Sequence, residues 1–144
     1  MKNLFLIIFV AASFIACKGN RNDKVVDDNV KLMAQSMQDT TTVQLIDSVF
    51  NFGKIKEGEK VTFNFRFRNS GKNPLVISNT SASCGCTVPE KPEKPIMPGE
   101  EGFIKVVFNS KGKAGHQDKN ITVMSNTKPE FPLLQLTGEV SKAE

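Results

Sequence analysis

The sequence has no tryptophan and no tyrosine, and its 144 residues include one histidine and three cysteines. An antibody-type immunoglobulin domain is disfavoured, because that domain packs a tryptophan against a disulfide between its two sheets. A sugar-binding surface is also disfavoured, because sugars usually stack on tryptophan and tyrosine rings and use their polar groups. Phenylalanine, with eleven copies, is therefore the only aromatic ring available for a core.

Patterns for catalysis and for nucleic-acid binding are missing as well. His116 lies in the polar, glycine-rich stretch GKAGHQDKN, with no Ser-His-Asp set, paired carboxylate motif or phosphate-binding glycine loop. The formal net charge is +4, but lysine and arginine are scattered between acids. A nucleic-acid groove would require a dense basic patch. The sequence therefore predicts a protein that is not an enzyme and does not bind nucleic acid.

The first residues have the features of a secretory signal. A lysine precedes the apolar run 4–10, and small residues follow until Cys17. The apolar run is too short for a membrane-spanning helix. The stretch FIAC, which ends at Cys17, resembles the bacterial lipobox, in which the cysteine is acylated and becomes the new N-terminus. We expect residues 1–16 to be a signal peptide and the exported protein to be lipid-anchored through Cys17 to a bacterial membrane, periplasmic or surface-facing.

A polar linker is predicted between this anchor and the folded domain. Residues 18–42 contain no aromatic residue and few large aliphatic ones, so they contribute little to a core. As a flexible tether they would have a root-mean-square reach on the order of 25–30 Å. Apolar residues do recur at helical spacing, at Val26, Val30, Met33 and Met37. A short amphipathic helix is therefore the alternative, although an isolated helix of this length is marginal in water.

From Val43 onward the apolar period changes to two. In VTFNFRF, apolar residues alternate with polar ones, which predicts a strand with one buried face and one solvent-exposed face. Similar runs, bounded by turn residues, are VQLIDSVFNFG, PLVIS, GFIKVVFN, NITVMS and LLQLTGEV. They predict an all-β, immunoglobulin-like antiparallel sandwich of about seven strands over residues 43–144. Prolines recur every third residue from Pro89 to Pro98 and predict a stiff crossing between the two sheets.

Several motifs together resemble the bacterial family called domain of unknown function 1573. They are FNFGKI, FRFRNSGKNPLVI, SASCGCTVP, PIMPGEEG and GEV, and the similarity runs from about Val43 to Val140. The resemblance implies a secreted, often lipid-anchored immunoglobulin-like domain similar to the abnormal-spindle, major-sperm-protein and pilus-chaperone group. Such domains generally bind other proteins rather than catalyse.

Cys84 and Cys86 are separated only by Gly85. Nearby thiols in an oxidising compartment form a disulfide. Alternate residues of an extended strand lie about 6–7 Å apart at Cα, near the upper limit for a disulfide, so the chain must bend. We expect Gly85 to permit the bend by adopting positive φ. Because so small a ring removes little chain entropy, its stabilisation should fall at the bottom of the usual range of about 0–5 kcal/mol.

Two other roles remain open for this pair of cysteines. A strained, exposed disulfide can exchange with substrate thiols, although no adjacent histidine or following helix activates a thiol here. Two thiolates also suit Cu(I), or a shared zinc site, with Met97 or His116 as a third ligand. A structural disulfide ranks first, thiol redox chemistry second and metal binding third.

The predicted function is a non-catalytic binding or assembly module of the cell envelope, without a cofactor. Its partner would be an unidentified envelope protein, bound by loops or by strand addition at a sheet edge. The candidate surface consists of Cys84, Gly85, Cys86 and Thr87. The alternative is a thiol-redox or Cu(I)-handling envelope protein that uses the Cys84/Cys86 pair.

Overall fold

The computed structural model describes residues 39–142 together with Val30, Lys31 and Ala34. The predicted signal peptide and Cys17 lie outside the described residues. Val30, Lys31 and Ala34 have helical backbone and are exposed, which favours the helical alternative over a plain coil at these three positions. No helix among the described residues is long and apolar enough to cross a membrane.

The described domain is a sandwich of two four-stranded sheets, which confirms the predicted all-β sandwich. The first sheet has the strand order β1-β3-β6-β5, and the second has the order β2-β8-β7-β4. The strands are β1 (Val43–Leu45), β2 (Val49–Lys56), β3 (Lys60–Asn69), β4 (Ile77–Ala82), β5 (Thr87–Glu90), β6 (Glu101–Asn109), β7 (Gly115–Ser125) and β8 (Leu134–Ser141).

The strand count exceeds the predicted seven partly because the run VQLIDSVFNFG forms two strands. β1 pairs with β3 in the first sheet, whereas β2 pairs with β8 in the second. The two strands are divided at Asp47, whose carboxylate binds Arg66 of β3 and holds the chain at the edge of the first sheet. β2 is parallel to β8, whereas the other strand pairs are antiparallel, as predicted for the sandwich.

Phenylalanine rings fill the space between the sheets, as the alternation in β3 predicts. Phe65 and Phe67 are almost completely buried, and Phe63 packs against the same core. The ring of Phe63 stacks on Phe50 of the other sheet at a centroid distance of 3.8 Å and meets Phe65 edge-on at 4.9 Å. Phe67 meets Phe131 edge-on at 5.3 Å. These rings therefore join the two sheets, which is the packing that stabilises a sandwich.

The folded part begins before the predicted boundary at Val43. Thr41 is buried and pairs with the loop between β7 and β8, where its N–H donates to Asn126 O at 3.1 Å and its carbonyl accepts from Lys128 N at 2.9 Å. Because Thr41 is polar, sequence periodicity gave no reason to place it inside the domain. The chain thus enters the sandwich beside the β7–β8 loop.

The two ends of the sandwich carry different features. We call the end where the chain enters the N-terminal end; it also holds the bridge between Leu75 and Ile96. We call the other the disulfide end, because it holds the loop between β4 and β5. There Asn109 N donates to Cys86 O at 2.9 Å. The end of β8 lies at the disulfide end as well, since Glu57 N donates to Ser141 O at 2.9 Å.

Asn69 ties the loops of the N-terminal end together. It is fully buried as the last residue of β3. Its side-chain amide donates to Asn73 O and Ile96 O, both at 2.8 Å. Its side-chain oxygen accepts from Thr41 Oγ1 at 2.9 Å and from Gly71 N at 3.1 Å. One side chain therefore connects the entering segment with the β3–β4 loop and the β5–β6 loop.

Asp47 provides a pH-dependent contact at the edge of the first sheet. Its carboxylate accepts hydrogen bonds from Arg66 Nε at 2.8 Å, from the Arg66 terminal nitrogen at 3.2 Å and from the Arg66 main-chain N–H at 3.1 Å. The hydrogen bonds from the Arg66 side chain are the main reason that the pKa of Asp47 is lowered below its ordinary value. Ionised Asp47 therefore favours the folded chain.

Replacing Asp47 with asparagine should lower the free energy of unfolding at neutral pH but not in strong acid. The contribution of the ionised carboxylate is complete above the unfolded-state pKa of about 3.9, and it is lost as the pH falls through the lower folded-state pKa. Urea unfolding of wild type and Asp47→Asn across this window measures the difference. Glu93→Gln, at an exposed loop position, is the control. A wild-type advantage that stays constant down to about pH 2 would contradict the prediction.

Candidate functional site

The loop between β4 and β5 contains a disulfide between Cys84 and Cys86, with an S–S distance of 2.07 Å and a Cα–Cα distance of 5.4 Å. It carries the chain from the second sheet to the first, since β4 pairs with β7 and β5 pairs with β6. The predicted crossing at the proline stretch was wrong. Pro89 lies within β5, and the following residues connect β5 to β6 within one sheet.

Main-chain hydrogen bonds fix the disulfide loop to both sheets. Ser83 N donates to Asn120 O of β7 at 2.9 Å, which holds the loop to the second sheet. Cys86 O accepts from Asn109 N at the end of β6 at 2.9 Å, which holds it to the first. Within the loop, Thr87 N donates to Cys84 O at 3.2 Å. Each end of the loop is therefore attached to one of the two sheets.

Thr87 supports the disulfide from the inner side of the loop. It is 4% exposed, and its Oγ1 lies 3.7 Å from Cys84 Sγ and 3.9 Å from Cys86 Sγ. Because the sulfurs of a disulfide carry no proton, the hydroxyl is the donor in both contacts. Both cysteines are half-buried, and Cys86 packs against the hydrophobic core. The disulfide thus belongs partly to the core and partly to the surface.

Gly85 is the exposed tip of the loop, but it does not have the backbone conformation that the sequence suggested. The glycines with positive φ among the described residues are Gly53, Gly58, Gly99, Gly112 and Gly115, so the prediction of positive φ at Gly85 was wrong. The turn instead brings the two Cα atoms to 5.4 Å without a positive φ at the tip. Apart from its chain neighbours Cys84 and Cys86, a Cβ atom added at Gly85 would meet no heavy atom within 4 Å. The tip can therefore accept a side chain.

The structure does not bring the proposed metal ligands together. Met97 lies at the N-terminal end, next to Ile96, which forms a β-bridge with Leu75. Cys84 lies nine residues after Leu75, which is about 30 Å of extended chain, so Met97 is far from the disulfide. His116 precedes Asn120, the residue that contacts the loop, by about 13 Å of β7. His116 faces Glu139 instead, with Nδ1 to Oε2 at 3.7 Å. No group of three or more histidine, cysteine, aspartate or glutamate residues in the described chain could hold a metal ion.

Neighbouring turns form the rest of the disulfide end, and sequence reasoning missed them. Ser110 is fully buried, and its hydroxyl lies 2.7 Å from Glu59 O and 3.1 Å from Lys56 O. Gly112 N donates to Glu57 Oε1 at 2.9 Å, which links the β6–β7 turn to the β2–β3 turn. A buried serine after a strand has no distinct sequence signal. These bonds join the turns beside the disulfide loop into one surface.

Solved structures with this fold come from bacteria and from humans. A protein of unknown function from Porphyromonas gingivalis W83 has a TM-score of 0.62 and 15% identity, with coverage of 69% of this chain and 47% of that chain. The ASH / PapD-like domain 7 of human CEP192 has a TM-score of 0.56 and 13% identity, with coverage of 73% and 89%. This chain therefore spans about half of the bacterial protein and most of the human domain. At these identities the likeness shows the fold alone.

Family membership has a firmer basis than these structural likenesses. A search of curated protein sequences finds no match. Residues 43–140, however, match the family described as "Protein of unknown function (DUF1573)". The match covers β1 to β7 completely and β8 as far as Val140, one residue before that strand ends. The chain belongs to the DUF1573 family.

Proposed function

We propose that this protein is an exported lipoprotein of the cell envelope whose immunoglobulin-like domain binds another envelope protein and does not catalyse a reaction. The disulfide loop and the adjoining turns at the disulfide end form the recognition surface. Cys17 carries the lipid anchor. The fold of the domain and its family support the binding role. The lipobox-like sequence before Cys17 supports the anchor.

The observation that carries the proposal is the combination of a fixed loop and an open tip. Hydrogen bonds from both sheets and the disulfide hold the loop, yet Gly85 is exposed with nothing but its chain neighbours within 4 Å of a Cβ position. A loop that is already ordered loses little conformational entropy when it binds, so a partner gains more of the contact energy. The loop also lies at the opposite end of the sandwich from the entering chain. A partner bound at the loop would therefore not contact the residues through which the chain enters the sandwich.

Gly85→Arg should abolish capture of the partner without unfolding the domain, because the new side chain projects from an open tip. The full chain, tagged and expressed in the bacterium that encodes it, is cross-linked in intact cells and its bound proteins are quantified by mass spectrometry. We expect the specific partner to fall roughly tenfold or more, the loss typical of a blocked interface centre. Glu93→Arg, an exposed loop position outside the disulfide end, is the control. Equal capture by both variants would contradict the proposal.

The same capture experiment separates binding from thiol chemistry. Replacing Cys86 with serine leaves Cys84 as a free thiol that can trap a mixed disulfide with a substrate protein. If the module only binds, capture depends on loop shape and yields no mixed disulfide. A reducible covalent adduct with one envelope protein would instead favour thiol exchange and would overturn the non-catalytic role.

The lipid anchor has its own test. Cys17→Ser should release the exported protein from the membrane fraction, because it removes the acyl chains that form the proposed anchor. Cell fractionation of wild type and Cys17→Ser, with metabolic labelling by a fatty acid analogue, measures both attachment and acylation. Membrane association that survives the substitution without label would rule out this anchor.

A further inference from the structure

The edge strands of the two sheets differ in how they are protected against pairing with another strand. β1 has only three residues, and β5 has four, one of which is Pro89. β2 carries Lys54 and Lys56, and its register shifts between Asn51 and Lys54. Short length, proline, lysine and bulges are the usual means by which proteins protect sheet edges. Three of the four edges are therefore protected.

β4 lacks these protections over most of its length. It has six residues, Ile77–Ala82, and pairs only with β7. The sequence from 75 to 88 contains no charged residue and no proline. Its one irregularity is a register shift between Ile77 and Asn79 at its start. The remaining part offers main-chain groups for which the fold provides no strand partner.

The register identifies which main-chain groups face outward. Ser83 N donates to Asn120 O of β7, and Ser81 lies opposite Thr122 in the same register. Since residues of an antiparallel pair alternate between bonded and non-bonded positions, Ser81 also bonds toward β7. Thr80 and Ala82 therefore direct their N–H and C=O groups away from the sheet. Two donors and two acceptors are thus available along this edge.

We propose that β4 pairs antiparallel with β4 of a second copy of this chain and so joins two second sheets into one. A twofold axis at Ser81 would let Thr80 of each copy exchange hydrogen bonds with Ala82 of the other. An axis of this kind brings like side chains together, so a charged residue there would repel its counterpart. β4 carries no charge. On the axis Ser81 would meet Ser81 of the other copy, and Asn79 would lie opposite Ser83 of that copy, so the facing side chains are neutral groups that can hydrogen-bond to each other.

This pairing is independent of the proposed binding of an envelope protein. With the axis at Ser81, the two Gly85 tips lie about 26 Å apart along the joined strands, so neither tip covers the other. Loss of self-pairing would leave the recognition surface of each copy unchanged. The two proposals can therefore fail separately.

A thiol introduced on the proposed axis tests the pairing. Residues directly opposite each other at a non-bonded position have Cβ atoms about 4.5–5.5 Å apart, close enough for a disulfide after small adjustment. Ser81→Cys in the full chain, expressed in cells and oxidised in place, should give a covalent dimer on a non-reducing gel. Thr122→Cys is the matched control, because Thr122 is the neighbour of Ser81 on the next strand and lies further from the axis. Peptide mapping verifies that the link joins the introduced thiols and that Cys84 and Cys86 remain bonded to each other.

A second substitution tests the hydrogen bonds themselves. Thr80→Pro removes an outward N–H and the side-chain bond from Thr80 Oγ1 to Pro89 O, but no main-chain bond to β7. It should spare the fold and lower the dimer fraction roughly tenfold or more, with circular dichroism as the folding check and Thr80→Val as the control for the lost side-chain bond. A dimer from Ser81→Cys that is absent from Thr122→Cys and lost on adding Thr80→Pro supports the pairing. No dimer from Ser81→Cys, equal dimers from both positions, or a dimer that is insensitive to proline would overturn it.

Discussion

Asn69→Leu should lower the free energy of unfolding by about 4 kcal/mol, because it leaves several buried polar groups without partners. The Asn73 carbonyl would lose this donor, and the Thr41 hydroxyl and the Gly71 N–H would lose their acceptor. The Ile96 carbonyl would keep only the bond from Leu75 N. Each unsatisfied buried group costs about 1–3 kcal/mol, and leucine supplies no polar atom in exchange. Denaturant unfolding followed by circular dichroism measures the loss.

A second asparagine at the same end provides the control for Asn69. Asn73 donates from a more exposed side chain to Thr40 O at 2.9 Å. Asn73→Leu should cost about 1 kcal/mol or less, because water can replace that single bond. Similar losses from the two substitutions would show that Asn69 does not connect the loops of the N-terminal end as described.

Gly138→Ala should destabilise the domain by about 3 kcal/mol, near the upper end of the usual cost of overpacking a core. A Cβ atom at this position would lie 2.3–2.6 Å from three ring carbons of Phe52. Phe52 cannot move freely, because its ring also stacks against Phe108 at 5.5 Å. Either the β2 edge or the ring must therefore shift. Thermal and denaturant unfolding of the variant measure this cost.

Two further variants test whether the ring is the cause. Gly85→Ala is the matched glycine control and should change stability by less than about 0.5 kcal/mol, since its Cβ would meet nothing but its chain neighbours within 4 Å. Phe52→Leu should cost less in the Gly138→Ala background than in wild type, because it relieves the overlap. Additive effects of Gly138→Ala and Phe52→Leu would contradict the predicted clash.

The sequence predicted the sandwich well because its main signal is local. The alternation of Phe63, Phe65 and Phe67 follows directly from the period of a strand with one buried face, and these residues do form the core. β5 was missed because it is a short edge strand that contains Pro89, and a proline normally argues against a strand. The parallel placement of β2 beside β8 depends on contacts far apart in sequence, which periodicity does not report.

The disulfide in the candidate site was predictable from the sequence, but its position in the fold was not. The spacing of Cys84 and Cys86 drew attention to the loop, yet nothing local indicated that this loop is the crossing between the sheets. Asn69 has no distinct sequence signal, because its four side-chain contacts involve segments from residue 41 to residue 96. Burial of a polar side chain is a property of the assembled fold.

The parallel pairing of β2 with β8 has a mechanical consequence. The chain enters at one end of the sandwich and leaves β8 at the other. A force that pulls the chain apart at these two points therefore acts along the strands. β2 lies near the start of the domain and β8 is its last strand. Because the two strands are parallel, this force would load all the hydrogen bonds between them at the same time instead of breaking them one by one. Single-molecule stretching would reveal this as a high rupture force. A domain built in this way can resist a pulling force between the attachments at its two ends.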